Sequence, residues 1–183
     1  MAESFSNSLT RAAGSVNSAS GGAIGVTTNL ITGISTSGVS VGDLIDNANY
    51  IAGTKVATIG ASQVTADRDS TNSGAASSQI VKFLGMTTAF TSASSTKSIL
   101  IGGTFSNLTQ NDINVYVEVV DQSLATGPIG VSSVQLASDI PIPSGSSFVI
   151  SEAGKTVLEA NDQVTVYCDT ESAVDVTLAI LSG

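Results

Sequence analysis

Apolar and polar positions alternate in steps of two along the second half of the chain. Ile113, Val115, Val117 and Val119 interleave with Asn114, Tyr116, Glu118 and Val120. Val164, Val166 and Cys168 interleave with Thr165, Tyr167 and Asp169. Val174, Val176, Leu178 and Ile180 interleave with Asp175, Thr177, Ala179 and Leu181. Successive side chains of a strand point to opposite faces, so this pattern predicts strands with one buried face, as in antiparallel sheets. Ser98–Phe105, Ser147–Ser151 and Lys155–Leu158 are shorter candidates. Turn residues separate them: Asn111-Asp112, Pro143-Ser144-Gly145-Ser146, Ala153-Gly154, Asn161-Asp162 and Thr170-Glu171-Ser172-Ala173, the last linking the final two strands as a hairpin. Ile140-Pro141-Ile142-Pro143 is extended, but its prolines exclude it from the middle of a sheet. Strands repeating at roughly ten-residue spacing predict a β-sandwich or jelly roll.

The first half is less regular. Phe5–Val16 reads either as a strand or as an arm, and Asn17–Gly22 as a loop by its Ser and Gly content. Val26–Ile34, Lys55–Ile59, Gln63–Ala66 and Gln79–Leu84 read as short strands, and Asp69–Ser78 and Thr91–Lys97 as loops. Ala52-Gly53-Thr54-Lys55-Val56 with Gln63-Val64-Thr65 is echoed by Ala153-Gly154-Lys155-Thr156-Val157 with Gln163-Val164-Thr165. That echo is either a duplicated hairpin or convergent hairpin composition. No stretch repeats with helical period.

Composition sharpens this picture. Val (19), Ile (15) and Thr (20) are β-branched and favour pleated surfaces. Six Lys and Arg against 15 Asp and Glu leave a net charge of −9, which disfavours nucleic acid and anionic membranes as partners. The charge is uneven: residues 1–85 sum to −1 and residues 86–183 to −8, a step that fits two modules meeting near Gly85. No run approaches the 18 or so apolar residues of a membrane span, and the N-terminus lacks the basic and apolar regions of a secretory signal.

Candidate chemistry is sparse. There is no His and one Cys, so a triad with a His base, a Cys/His zinc site and an internal disulfide are all excluded. Gly38-Val39-Ser40-Val41-Gly42 has the spacing of a nucleophile elbow, but that elbow must open a helix and face a His. Ser94-Ser95-Thr96-Lys97 has S-x-x-K spacing inside a Ser/Thr-rich loop. Asp67–Gly74 is acidic and turn-rich, yet Asn72 and Ser78 stand where an EF-hand needs Gly and Glu; it reads as a solvated loop or a non-EF calcium site. Cys168 keeps the phase of Val164 and Val166 and is expected in the core. Tyr116 and Tyr167 take the outward phase, which marks either a seam with a second domain or a sugar-binding platform. No residue is assigned a catalytic, cofactor-binding or metal-binding role.

Two stretches carry a resemblance. Ile101-Gly102-Gly103-Thr104-Phe105-Ser106-Asn107-Leu108-Thr109, Ile140-Pro141-Ile142-Pro143-Ser144-Gly145-Ser146-Ser147, Lys155–Val166 and Ala173–Leu178 together resemble small β-sandwich virion proteins of tailed bacteriophages. Leu30–Asp43 followed by Ile51–Ile59 is similar to small β modules of phage fibre, tail and virion-surface proteins, and the combination of the two resembles proteins of cyanophages in particular. The resemblance implies a non-enzymatic structural component of a virion, as capsid decoration, neck, or tail and fibre protein. It implies self-association and contact with other virion proteins; the alternative is a carbohydrate-binding module that attaches to a host-surface glycan. The expectation is an all-β chain of two small domains: an N-terminal arm (1–25), a small β domain for assembly (26–85) and a solvent-exposed antiparallel β-sandwich (86–183). On this reading, deleting residues 1–25 leaves a folded C-terminal domain that no longer joins the particle, whereas the full chain, made in the host cytoplasm, ends in it.

Overall fold

Period-two alternation carries through to the backbone. The computed structural model describes residues 3–123, 133–151 and 155–183, and folds them into strands joined by turns, with no helix among them. All pairings are antiparallel. The expected turn at Ala153-Gly154, and with it part of the internal echo, lies outside the described residues.

Two sheets form the sandwich. In the first, β1 (Ser4–Ala13) pairs with β15 (Val174–Ser182), which pairs with β9 (Ser98–Asn107). The far edge of β9 is shared end to end by β12 (Ser147–Ile150) and β13 (Thr156–Leu158). The second sheet runs β11 (Ser133–Ile142), β10 (Ile113–Val120), β14 (Gln163–Cys168), β8 (Thr87–Thr91). Between them lies a core that includes Ile113, Val115, Val117, Val164, Val166, Cys168, Val176, Leu178 and Ile180, the positions that alternation assigns to the inside. Pro141 sits on β11, an edge strand, where its missing N–H is harmless.

The remaining strands build a second body. Their order is β4 (Leu44–Asp46), β7 (Ala76–Gly85), β2 (Ser15–Ile24), β3 (Leu30–Thr32), β6 (Gln63–Ala66), β5 (Val56–Ile59). The ends of this sheet meet. The Val56 N–H donates to the Asp43 carbonyl at 2.9 Å, the Ile45 N–H donates to the Thr54 carbonyl at 2.8 Å, and Leu44 bridges Lys55. The six strands therefore close into a small barrel, filled by Ile24, Ile31, Val56, Val64, Val81 and Phe83 among others. Closure joins the two ends of the sheet around Leu44 and Lys55.

Residues 1–25 are organised differently from the expected arm. Of the described ones, Ser4–Ala13 is an edge strand of the sandwich, and Ser15–Ile24 is a strand within the barrel wall. Small side chains mask this in the sequence. On the inner side of β1, Ser8 Oγ donates to the Ala89 carbonyl at 2.7 Å, replacing the apolar contact that marks an ordinary strand. In β2, a Cβ on Gly22 would lie 3.3 Å from both Ile34 and Val81, so the glycine fits a wall packed close on its contents. The barrel is thus inserted between β1 and β8, and the chain crosses between the bodies at Gly14 and again at Met86. The Gly14 N–H lies 3.4 Å from Thr87 Oγ1, so the crossings run side by side.

The internal echo does not correspond to a repeated hairpin. Strands β5 and β6 pair with each other, whereas β13 and β14 belong to opposite sheets of the sandwich. Nor do the last two strands form the expected hairpin: Thr170–Ala173 carries the chain from β14 in the second sheet over the core to β15 in the first.

Candidate functional site

Both faces of the second sheet are covered. Its inner face meets the sandwich core, while Tyr116 and Tyr167 on its outer face pack against Leu44, Leu84 and Val16 of the barrel. The seam reading of these tyrosines holds. They are 5% and 0% exposed, so neither offers a ring on which a sugar could stack. Beside them, Lys55 Nζ donates to Glu118 Oε2 at 2.7 Å and to Ser133 Oγ at 2.8 Å. The Tyr167 hydroxyl donates to the same Glu118 oxygen at 3.2 Å, with the Gly42 carbonyl at 3.4 Å. Lys55 and Gly42 come from the barrel, and Glu118, Ser133 and Tyr167 from the sandwich. Burial raises the Tyr167 hydroxyl pKa first, and the Glu118 carboxylate adds to it; burial and then Asp139, at 2.9 Å, do the same for Tyr116. Tyr167 is thereby held as a neutral donor.

The outer face of the first sheet has no such cover. Residues directly opposite in an antiparallel pair share a face. Because Val176, Leu178 and Ile180 point inward, register turns the following residues outward. One row across four strands is Phe5, Leu181, Ile99, Val157. A second is Leu9, Thr177, Thr104, Val149. Between them lie Asn7, Ala179 and Gly102, with Ile101 beside them at a bulge. Phe5 and Leu9 are each 74% exposed, Val149 57% and Val157 55%. A shallow hollow of about 300 Å³ opens between Phe5, Asn7, Ile101 and Ala179. No charged side chain stands in these rows. Charges occur around them: Glu3 and Arg11 on β1 and its lead-in, Asp175, which accepts the Ala12 N–H at 2.9 Å, the Lys97–Glu159 pair at 2.8 Å, and Lys155 on the far edge between β12 and β13.

The chemically suggestive motifs fall elsewhere. Gly38–Gly42 is a turn, and it leads into strand β4. In the S-x-x-K stretch, Lys97 is engaged by Glu159, and the Ser94-Ser95 pair lies in a loop turn. In Asp67–Gly74, the Asp67 carboxylate accepts the Lys55 backbone N–H at 2.9 Å and pairs with Arg68 at 3.2 Å. Asn72 Nδ2 donates to the Gly25 carbonyl at 3.0 Å. These bonds tie the segment to the barrel at Lys55 and Gly25. No group of three or more acidic or sulfur ligands converges among the described residues. Cys168 is buried in the core, and burial pushes its thiol up to about 11.

Sequence reasoning missed the apolar rows. The available signal was apolar character on both phases of a strand: Ile99 and Ile101 flank the inward Leu100, and Leu181 follows the inward Ile180. Such a strand reads as fully buried, and only the sheet's place in the stack shows one side open. No protein-family model matches the chain, and no curated protein matches it.

Proposed function

We propose that this chain is a non-enzymatic structural component of a tailed-phage virion, at the capsid surface, neck or tail, and that it acts through protein–protein contact. The observation that supports this reading is the pair of apolar, uncharged rows on the outer face of the first sheet of a strongly acidic molecule. Apolar areas of this extent on a polar-rimmed surface mark interaction sites. The groups that a catalytic reading would recruit are engaged in holding the fold: Lys97 by Glu159, Lys55 by Glu118, and Cys168 in the core. The carbohydrate-binding alternative rested on Tyr116 and Tyr167, and both lie under the barrel. Of the two sequence regions expected to make contacts or face solvent, each contributes to the face: β1 comes from residues 1–85 and the other strands from 86–183.

Quantitative mass spectrometry of virions from an infection that produces the chain tests the proposal. The expected result is incorporation at a fixed copy number. A high number indicates a decoration protein and a low one a neck or tail component; consistent absence from purified particles overturns the assignment.

A further inference from the structure

We infer that the outer face of the first sheet docks a second copy of this chain, face to face across a two-fold axis. The inference rests on reading that face as the contact surface, and it names the partner.

Size is the first argument. Four strands about 4.8 Å apart and roughly eight residues long at about 3.3 Å per residue give a footprint near 500 Å². With side chains standing on it, the accessible area is on the order of 700 Å² per copy, close to the roughly 800 Å² that each partner of a standard interface contributes. The face is large enough for one stable dimer and leaves little apolar surface over.

Charge is the second. Two copies of a chain carrying −9 repel each other through most orientations. The rows Phe5–Leu181–Ile99–Val157 and Leu9–Thr177–Thr104–Val149 bring no charge into contact. The charged side chains stand around them: Arg11 and Asp175 beyond the Leu9 row, Glu3, Lys97 and Glu159 beyond the Phe5 row, and Lys155 on the far edge between β12 and β13. Charges of both signs thus form a polar rim around the apolar rows, the usual anatomy of a specific interface. A basic partner would find no anionic group in the rows to pair with.

Shape is the third. Leu9 projects from β1, and the hollow lined by Phe5, Asn7, Ile101 and Ala179 lies on the same face, close to β1. A two-fold operator makes such an arrangement self-complementary, because the projection of each copy meets the hollow of the other.

The test uses the full chain. Sedimentation equilibrium is expected to give a dimer, and Leu9→Glu is expected to weaken it by roughly tenfold or more while circular dichroism stays native. Leu9 is mostly exposed, so the substitution leaves the core intact. A second variant keeps the question open to refutation if that one misfolds. Ala179→Cys places a half-exposed thiol in the middle row of the face, beside the two-fold axis, and Cys168, the chain's own cysteine, is buried. Mild oxidation of Ala179→Cys is expected to yield a disulfide-linked dimer, and the same treatment of Ser144→Cys, in a loop away from the face, is not. A wild-type monomer at high concentration overturns the inference. So does a dimer that survives Leu9→Glu unchanged, or one in which the thiols introduced by Ala179→Cys fail to join, as edge-to-edge pairing of β1 would produce. A monomer that still enters virions refutes the dimer alone; a dimer that never enters them refutes the virion assignment alone.

Discussion

Glu118 has a single carboxylate oxygen within reach of both Lys55 Nζ, at 2.7 Å, and the Tyr167 hydroxyl, at 3.2 Å, and its side chain is almost inaccessible to water. Desolvating both ions offsets much of their attraction, so the pair adds little net stability, but removing one partner strands the other. Glu118→Leu is expected to cost about 3–5 kcal/mol in urea unfolding. Lys55→Met in the same chain should recover most of that loss, and additive losses in the double-mutant cycle would refute the coupling. Val166→Asp puts a charge into the sandwich core with no partner and should cost several kcal/mol by the same logic; unchanged stability would mean the strand phase is wrong. Alkali has a defined direction. Burial lifts the Cys168 thiol from 9.0 to about 11 and, with Asp69 adding, the Tyr50 hydroxyl from 10.0 to about 12, and it raises Tyr116 and Tyr167 as well. Between the unfolded and folded values the unfolded chain has lost protons that the folded chain keeps, so stability is complete below pH 9 and falls as pH rises from there. Melting temperatures that stay level up to pH 11 would contradict this. Asp43 and Asp46 follow the same sign in the acid range. Burial raises both above 3.8, so their unfavourable contribution is relieved as pH falls.

At the level of elements, the two crossings between the bodies are the vulnerable points. Gly14 has φ +118°, and a Cβ there would sit 2.4 Å from the Thr170 carbonyl, a backbone atom that cannot step aside. Gly14→Ala is expected to cost roughly 3 kcal/mol or more. Gly145 provides the control: its φ of +70° is also left-handed, but nothing lies within 4 Å, so Gly145→Ala should cost only about 1 kcal/mol. Equal losses would show that close approach is not what Gly14 serves. The truncation of residues 1–25 also has a new expected outcome. It removes an edge strand from the sandwich and a strand from the barrel wall, exposing the edge of β15 and opening the barrel. Loss of the cooperative melt is expected, and a product as stable as the full chain would overturn the pairing of β1 with β15. Strands β10, β14 and β15 were legible because their inward apolar side chains recur in steps of two, whereas β11 was not, because Ser133–Asp139 shows no clear alternation and the prolines that follow argue against a sheet. Strands β1 and β2 were not, because Ser, Gly and Ala satisfy a strand through hydroxyl bonds and close packing that composition does not distinguish from a loop.

For the whole molecule, the barrel rests on the second sheet through Leu44, Leu84, Tyr116 and Tyr167, and the Lys55–Glu118 pair ties the two bodies together. Because the chain crosses twice and this seam is buried, the bodies are expected to unfold together. Calorimetry should give one transition with equal calorimetric and van't Hoff enthalpies, and two resolved transitions would refute the coupling. Local pattern alone determined the all-β class, strands β10, β14 and β15 and their inward phase. Each of these depends on side chains within a few residues of one another, and the two-residue period records which face is buried. Only tertiary structure decided that β1 joins the last strand, that a six-stranded sheet closes on itself and that Tyr116 and Tyr167 lie under a second body. It also decided that the rows from Phe5 to Val157 and from Leu9 to Val149 are left uncovered. These depend on which distant segments meet, and an apolar outer face reads identically in sequence whether a layer covers it or water does.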